Sequence, residues 1–178
     1  SLQGKNIADK SCFQSALAGN VAISSTEYTD EGNLAVYVCA KNASGEVVMA
    51  TLDGQVFSSF IKNITIGETG SVYVNDEQGY TVANIDPAVV TARENTIIDS
   101  EGNAALSEKA AALQKMMNGE TGIGRYTYDG VNRICAYMPI DEISGWSLAI
   151  TVPITEMTSS LWTTVLYMGV AAVIALAA

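Results

Sequence analysis

The chain has 178 residues, with 9 Lys+Arg against 19 Asp+Glu, a formal net charge of −10 and no histidine. Hydrophobic residues at 48% with only 16% charged exclude a disordered tail or a coiled coil, and the acidic balance leaves no basic stripe for nucleic acid. The absence of histidine rules out Ser-His-Asp and Cys-His catalysis, HExxH zinc sites and a phosphoaccepting histidine within the chain.

In chain order, Lys10 to Ala18 (KSCFQSALA) reads as a helix with Phe13, Ala16 and Leu17 on one face, Asp9 as N-cap and Gly19 as stop. Leu34 to Ala40 (LAVYVCA) is rich in strand formers, and a turn at Asn42–Gly45 leads into a second strand, Val47 to Leu52. Gln55 to Ile61 follows as a short amphipathic helix with Val56, Phe57 and Phe60 apolar. From Ile66 a second unit begins. Ser71 to Asn75 (SVYVN) alternates as a half-buried strand, DEQG turns the chain, and Tyr80 to Asn84 returns as its partner. Leu106 to Asn118 is the clearest helix, with Gly119 just past its end. Three strands close the unit: Ile123–Tyr128, Arg133–Pro139 and Trp146–Val152. Two strands, helices and three strands is the order of a PAS-like sheet, so the class is α+β, mainly antiparallel with flanking helices.

Cys12, Cys39 and Cys135 are far apart, with no CxxC pair and no metal-ligand cluster. They read as small buried hydrophobes; one disulfide stays open, but no spacing favours a pair. The oxygen-rich DSEGN run (Asp99–Asn103) lacks EF-hand spacing and reads as a solvated loop, so no metal or cofactor is expected. Two stretches, VYVCAKNASGEVVMATLDGQ and RICAYMPIDEISGWSLAITVPIT, share one layout of strand, turn closed by Gly45 or Gly145, strand and helix. That weak repeat suggests two copies of one sheet module, the first lacking its N-terminal half.

At the C-terminus, Met157 to Ala178 are 22 consecutive residues without a charge. About 20 apolar residues span the ~30 Å hydrocarbon core of a bilayer, and Trp162 sits where an interfacial anchor belongs. A truncated transmembrane helix is expected here, with small residues that suit packing in a homodimer. Ser1 to Asp9 is polar and is no signal peptide, so the chain reads as a fragment cut at both ends. Residues 1–63 carry 4 basic and 6 acidic side chains, and residues 64–156 carry 5 and 13. An acidic module beside the membrane fits an extracytoplasmic face.

Four segments together resemble double Cache (dCache) sensor domains: GKNIADKSCFQSALAGN, GEVVMATLDGQVFSSFI, IGETGSVYVNDEQGYTVANID and GWSLAITVPITEM ahead of an apolar helix. The resemblance covers essentially the whole chain. It implies the C-terminal part of a membrane-distal lobe at 1–63, a membrane-proximal lobe at 64–156 and the membrane helix at 157–178. It also implies an extracytoplasmic small-molecule sensor, most like that of a bacterial methyl-accepting chemotaxis protein, relaying binding through its second membrane helix. Ectodomains of sensor kinases and diguanylate cyclases, and accessory Cache ectodomains, are the alternatives.

The family's amino-acid motif carries over in part. Its closing Asp matches Asp53 and its later Tyr matches Tyr28, while Lys10 stands at the Arg position, Cys12 at the Trp position and Phe13 at the adjacent Tyr position. Lys offers a carboxylate a point charge where Arg offers a planar fork. The expected ligand is therefore an amine, another small metabolite or a differently bound amino acid. The candidate ligand residues are Asp53, Tyr28, Lys10, Phe13 and Tyr37. Each also has a plainer role: Asp53 as a helix cap, Lys10 as a solvated lysine, the tyrosines as sheet packing and Phe13 as core. A membrane-tethered enzyme is disfavoured, since no GxSxG, P-loop or clustered carboxylates are present.

Overall fold

The computed structural model describes residues 6–141, 143 and 145–157. The chain opens with helix α1 (Ser11–Leu17), two short strands β1 (Ala22–Ile23) and β2 (Glu27–Tyr28), then β3 (Leu34–Lys41) and β4 (Val47–Asp53). β1 and β2 share one edge of β3, with Ala22 opposite Cys39 and Glu27 opposite Ala35, and β4 pairs along the other edge. Between the two short strands the Ser24 hydroxyl accepts the Tyr37 N–H at 3.0 Å, and the Ser24 N–H donates to the Tyr37 carbonyl at 2.8 Å. The interruption therefore leaves the Tyr37 backbone groups satisfied. At the β3–β4 turn the Asn42 side chain accepts the N–H groups of Ser44 and Glu46, and Gly45 adopts φ +89°.

Two helices differ from expectation. Lys10, not Asp9, occupies the N-cap of α1 and makes no side-chain cap bond there. The buried face of α1 is Cys12 and Ala16, while Leu17 is 43% exposed. These two small residues, four apart, sit against Ala35, Tyr37 and Cys39 of β3, and a larger Phe–Leu face would hold the helix off the sheet. The next helix, α2 (Val56–Ile61), buries Ser58 and Ile61 and leaves Phe60 70% exposed. It leaves the first sheet to pack on the second, where the Phe57 ring meets Trp146 edge-on at 5.0 Å.

The second sheet contains β5 (Ser71–Asn75), β6 (Thr81–Asn84), β7 (Gly122–Tyr128), β8 (Val131–Pro139) and β9 (Ser147–Pro153). Their order is β6-β5-β9-β8-β7, every pairing is antiparallel, and the α+β class holds. Period-2 alternation divides its side chains between two layers. Val72, Val74, Leu148 and Ile150 face α2 and Trp146. Tyr73, Tyr126, Cys135, Tyr137 and Ala149 face the long helix α5 (Ser107–Met117) through Leu113 and Met116. Gly124 permits that approach: a Cβ there would lie 3.1 Å from the Cys135 sulfur.

Between β6 and α5 lie α3 (Pro87–Thr91) and α4 (Thr96–Ser100), two helices too short to show a period in sequence. Asp86 caps α3 by accepting the Ala88 N–H, and Asn95 caps α4 by accepting those of Ile97 and Ile98. α4 carries Asp99 and Ser100, so the DSEGN run is helical at its start and not wholly a loop. The repeat appears as two hairpins of seven paired residues per strand, 35–41 with 47–53 and 133–139 with 147–153, with turns of different length. Cys39 and Cys135 are fully buried in them, and Gly45 and Gly145 both take positive φ. All three cysteines are free and buried, yet Cys12 and Cys39 bring their sulfurs to 2.9 Å.

The chain turns helical at 154–157 as it leaves β9. The expected membrane helix at 157–178 lies, apart from Met157, outside the described residues. Among the described residues no helix is long and apolar enough to cross a membrane.

Candidate functional site

The register of the first sheet builds a site at the end where β2, β3 and β4 run side by side. Glu27, Ala35 and Asp53 form one cross-strand row, and Tyr37 and Thr51 form the next row on the same face. Two strand spacings of ~4.8 Å set the Glu27 and Asp53 backbones roughly 10 Å apart, with the small Ala35 between them. Lys10 approaches the same face from the start of α1. The result is a cavity of about 710 Å³ whose walls include Lys10, Glu27, Tyr28, Tyr37, Thr51 and Asp53.

Four of the five predicted ligand residues, Lys10, Tyr28, Tyr37 and Asp53, thus converge on one cavity. Phe13 does not line it; it is half-buried on α1. Asp53 combines its two readings. Its Oδ1 accepts the Gln55 N–H at 2.7 Å ahead of α2, and that is its one hydrogen bond to the described residues. The second carboxylate oxygen is left for other partners. Lys10 is no solvated lysine. Its ammonium is ion-paired with Glu27 and lies 4.6 Å from the centre of the Tyr37 ring.

Glu27 is the residue that sequence reasoning missed. It lies in the polar run SSTEYTDEGN, where neither period nor motif marks it, and only strand pairing brings it opposite Ala35. Its effect is chemical. Lys10 is neutralised by Glu27 and has little charge to spare for a ligand carboxylate. Among the described residues the walls also carry Asp30, Glu31 and Asp53. Beneath the site the Cys39 thiol is pushed up to about 12, chiefly by burial and then by Cys12, with Lys10 opposing. Among the described residues no group of three His, Cys, Asp or Glu is placed to hold a metal ion.

The fold that carries this cavity recurs in known proteins. Residues 1–161 match the dCache_1 Cache domain family. The chain belongs to the Cache domain family. Among solved structures, it is similar to the ligand-binding domain of the Pseudomonas fluorescens chemoreceptor CtaA in complex with L-isoleucine. The two share 16% identity over 89% of this chain and 63% of that one, with a TM-score of 0.61. The ligand-binding domain of the Pseudomonas aeruginosa PAO1 amino acid chemoreceptor PctB, in complex with L-Gln, aligns at 15% identity and TM-score 0.61, covering 97% of this chain and 68% of that one. The extracellular domain of mmHK1S-Z3, assigned as a histidine kinase, aligns at 16% identity and TM-score 0.62, covering 81% and 53%. This Cache chain therefore spans about half to two thirds of the length of these structures. No curated protein matches it.

Proposed function

We propose that this Cache domain is the extracytoplasmic ligand-sensing part of a transmembrane chemoreceptor, without catalysis of its own. Residues 1–63 belong to its membrane-distal lobe, residues 64–156 form the membrane-proximal lobe, and residues 157–178 are the membrane helix that carries the signal inward. The observation that carries this reading is the convergence of Lys10, Tyr28, Tyr37 and Asp53 on one cavity. Similarity to chemoreceptor ligand-binding domains supports the same role. The ligand is a small amine or amino compound. Asp53 receives its ammonium, Tyr37 flanks its apolar part, Tyr28 bounds the cavity at its edge, and the Lys10–Glu27 pair sets the polar end of the site. The receptor acts as a homodimer.

A ligand biases signalling only by binding two receptor states with different affinity. Asp53 is suited to that because it touches both the cavity and the turn leading into α2, which packs on the second sheet. Thermal shift of the full-length protein against amino acids, amines, organic acids and purines tests the proposal. A ligand at 100 times its dissociation constant adds about 2.7 kcal/mol, worth roughly 5–10 °C at this size. A shift confined to amino compounds is the expected result. A shift given by organic acids or purines alone, or by nothing in the panel, counts against it.

A further inference from the structure

The three cysteines divide between the two sheets. Cys135 lies in the core of the second sheet, among Leu113, Met116, Tyr126 and Ala149. Cys12 and Cys39 share the core of the first, with Ala16, Ala35 and Tyr37. Alternation along β3 turns Ala35, Tyr37 and Cys39 to one face, the face on which α1 packs. Cys12 and Cys39 are 27 positions apart in the chain, both are buried, and their sulfurs lie 2.9 Å from each other. That is within about 1 Å of the ~2.05 Å length of a disulfide bond, so a small shift of α1 against β3 separates contact from a covalent link.

The helix that carries Cys12 is lightly held. α1 has seven residues and no side-chain cap at its start, and it meets the sheet through the small side chains of Cys12 and Ala16. At its other end Lys41 Nζ donates to the Leu17 carbonyl at 3.2 Å, in an exposed position. A helix this short has little stability of its own, so it lifts from the sheet more readily than the strands part. Chemistry at the pair requires that opening. In the closed state burial pushes the Cys39 thiol up to about 12, and the thiolate that disulfide exchange needs is scarce.

We propose that Cys12 and Cys39 are a reversible redox pair, present here as the dithiol, whose oxidation by a small-molecule disulfide clamps α1 onto β3. With α1 lifted, the thiolate of one cysteine attacks a sulfur of the oxidant, forms a mixed disulfide and releases one small thiol. The thiolate of the other then attacks the protein sulfur of that mixed disulfide and releases the second small thiol. Two electrons and two protons pass from the cysteines to the oxidant, and one protein disulfide forms. The clamp acts beside the ligand cavity. Lys10 is the N-cap of the helix carrying Cys12, Tyr37 shares its β3 face with Cys39, and the Lys10 ammonium lies over the Tyr37 ring. Oxidation therefore fixes one wall of the cavity to another, whichever ligand fills it.

The tryptic segment 11–41 contains Cys12 and Cys39 and no other cysteine, which makes the test direct. Full-length protein, reduced and then freed of reductant, is incubated with oxidised glutathione, quenched in acid, unfolded, treated with iodoacetamide and mapped by peptide mass spectrometry. Without oxidation all three cysteines are alkylated. After oxidation Cys135 alone is alkylated, and peptide 11–41 is lighter than its dithiol by two hydrogen atoms. Dithiothreitol before alkylation restores labelling at both. In the oxidised protein amide hydrogen exchange at 11–17 slows by about 10-fold or more, within the usual gain from such a cross-link, while exchange in β8 and β9 is unchanged. Cys12→Ala, which keeps a small apolar side chain, shows no slowing on oxidation. Alkylation of all three cysteines after oxidation overturns the proposal, as does a link made by Cys135 or between two chains. A Cys12–Cys39 link that leaves exchange at 11–17 unchanged overturns the clamp.

Discussion

Tyr28, a wall of the cavity in the first sheet, donates its hydroxyl hydrogen bond to the carbonyl of Thr91, the last residue of α3 beside the second sheet. Gln55 makes a parallel connection. Its backbone N–H is held by Asp53, and its Nε2 donates to the Pro87 carbonyl at 2.9 Å and to Thr91 Oγ1 at 3.1 Å. Tyr28 and Asp53, both walls of this cavity, are thereby tied to one five-residue helix beside the second sheet. Removing the hydroxyl in Tyr28→Phe is expected to cost about 1 kcal/mol or less, since the ring is half exposed. The sharper effect is local: amide hydrogen exchange at 88–92 accelerates while that of β8 and β9 does not. Unchanged exchange at 88–92 counts against this connection.

Asp76 forms the second tie between the sheets. Its Oδ1 accepts the N–H groups of Gln78 and Tyr80 at 2.9 Å each, and its Oδ2 accepts the hydroxyl of Ser25. Burial pushes its carboxyl up more than these bonds and Arg93 pull it down. The folded state therefore favours the protonated form, and the stabilisation this gives is present below the ordinary carboxylate range and lost as pH rises through the raised value. Asp76→Asn keeps an acceptor for both N–H groups and can donate to Ser25, so its stability at pH 7 stays within about 1 kcal/mol of the parent. Asp76→Ala strands three donors and costs about 1–3 kcal/mol. Chemical denaturation of the two variants checks the difference, and equal losses contradict it.

Strand positions and hairpin turns were largely legible in the sequence because period-2 alternation and Asn–Gly turn chemistry are local signals. The pairs β3–β4 and β8–β9 fall where strand-forming runs and Gly45 or Gly145 place them. What stayed hidden depends on partners far along the chain. β1 and β2 have two residues each and exist only because β3 offers an edge. α2 buries Ser58 and exposes Phe60 because it packs on a sheet that begins ten residues later. For the site, motif matching reached Asp53, Tyr28 and Lys10, but Glu27 and the pairing that neutralises Lys10 required the β2–β3 register.

The cysteines supply a chemical test of the first sheet. Cys12 and Cys39 are 2% and 0% exposed, and the Cys39 pKa rises from the ordinary 9.0 to about 12, chiefly through burial. Since the thiolate is the nucleophile, native protein at pH 8 resists iodoacetamide at Cys39 and reacts fully only after unfolding. The folded state also holds this proton to higher pH than the unfolded chain. The associated stability is complete below pH 9 and is lost as pH rises toward 12. Rapid labelling of Cys39 in the native protein contradicts its placement under α1.

Glu156 closes the exit from the second sheet. Its carboxylate accepts the N–H groups of Glu68 and Thr69 at 2.9 Å each, together with the Thr69 hydroxyl, and so ties residues 66–70 to the end of β9. The Thr69 hydroxyl, then the Glu68 N–H, hold its pKa below the ordinary carboxylate range. With the folded pKa depressed, this contribution is present at neutral pH and lost as pH falls through the lowered value. Glu156→Ala is expected to increase hydrogen exchange at 68–70 at pH 7 and to erase its acid dependence there. Exchange at 68–70 that matches the parent at both pH values contradicts the clasp.

The cavity bounded by Lys10, Tyr28, Tyr37 and Asp53 is proposed to receive the cationic end of a ligand. The most direct test is the affinity of the best amino compound from the thermal-shift panel for Asp53→Asn, measured by titration beside the parent protein. The amide introduced by this substitution keeps an oxygen for the Gln55 N–H, so the ligand-free unfolding midpoint should not move. Affinity is predicted to fall about 10-fold or more, the scale of a lost charge-assisted hydrogen bond. Unchanged affinity with an unchanged midpoint would remove Asp53 from the ligand site, leaving it as the residue that turns the chain into α2.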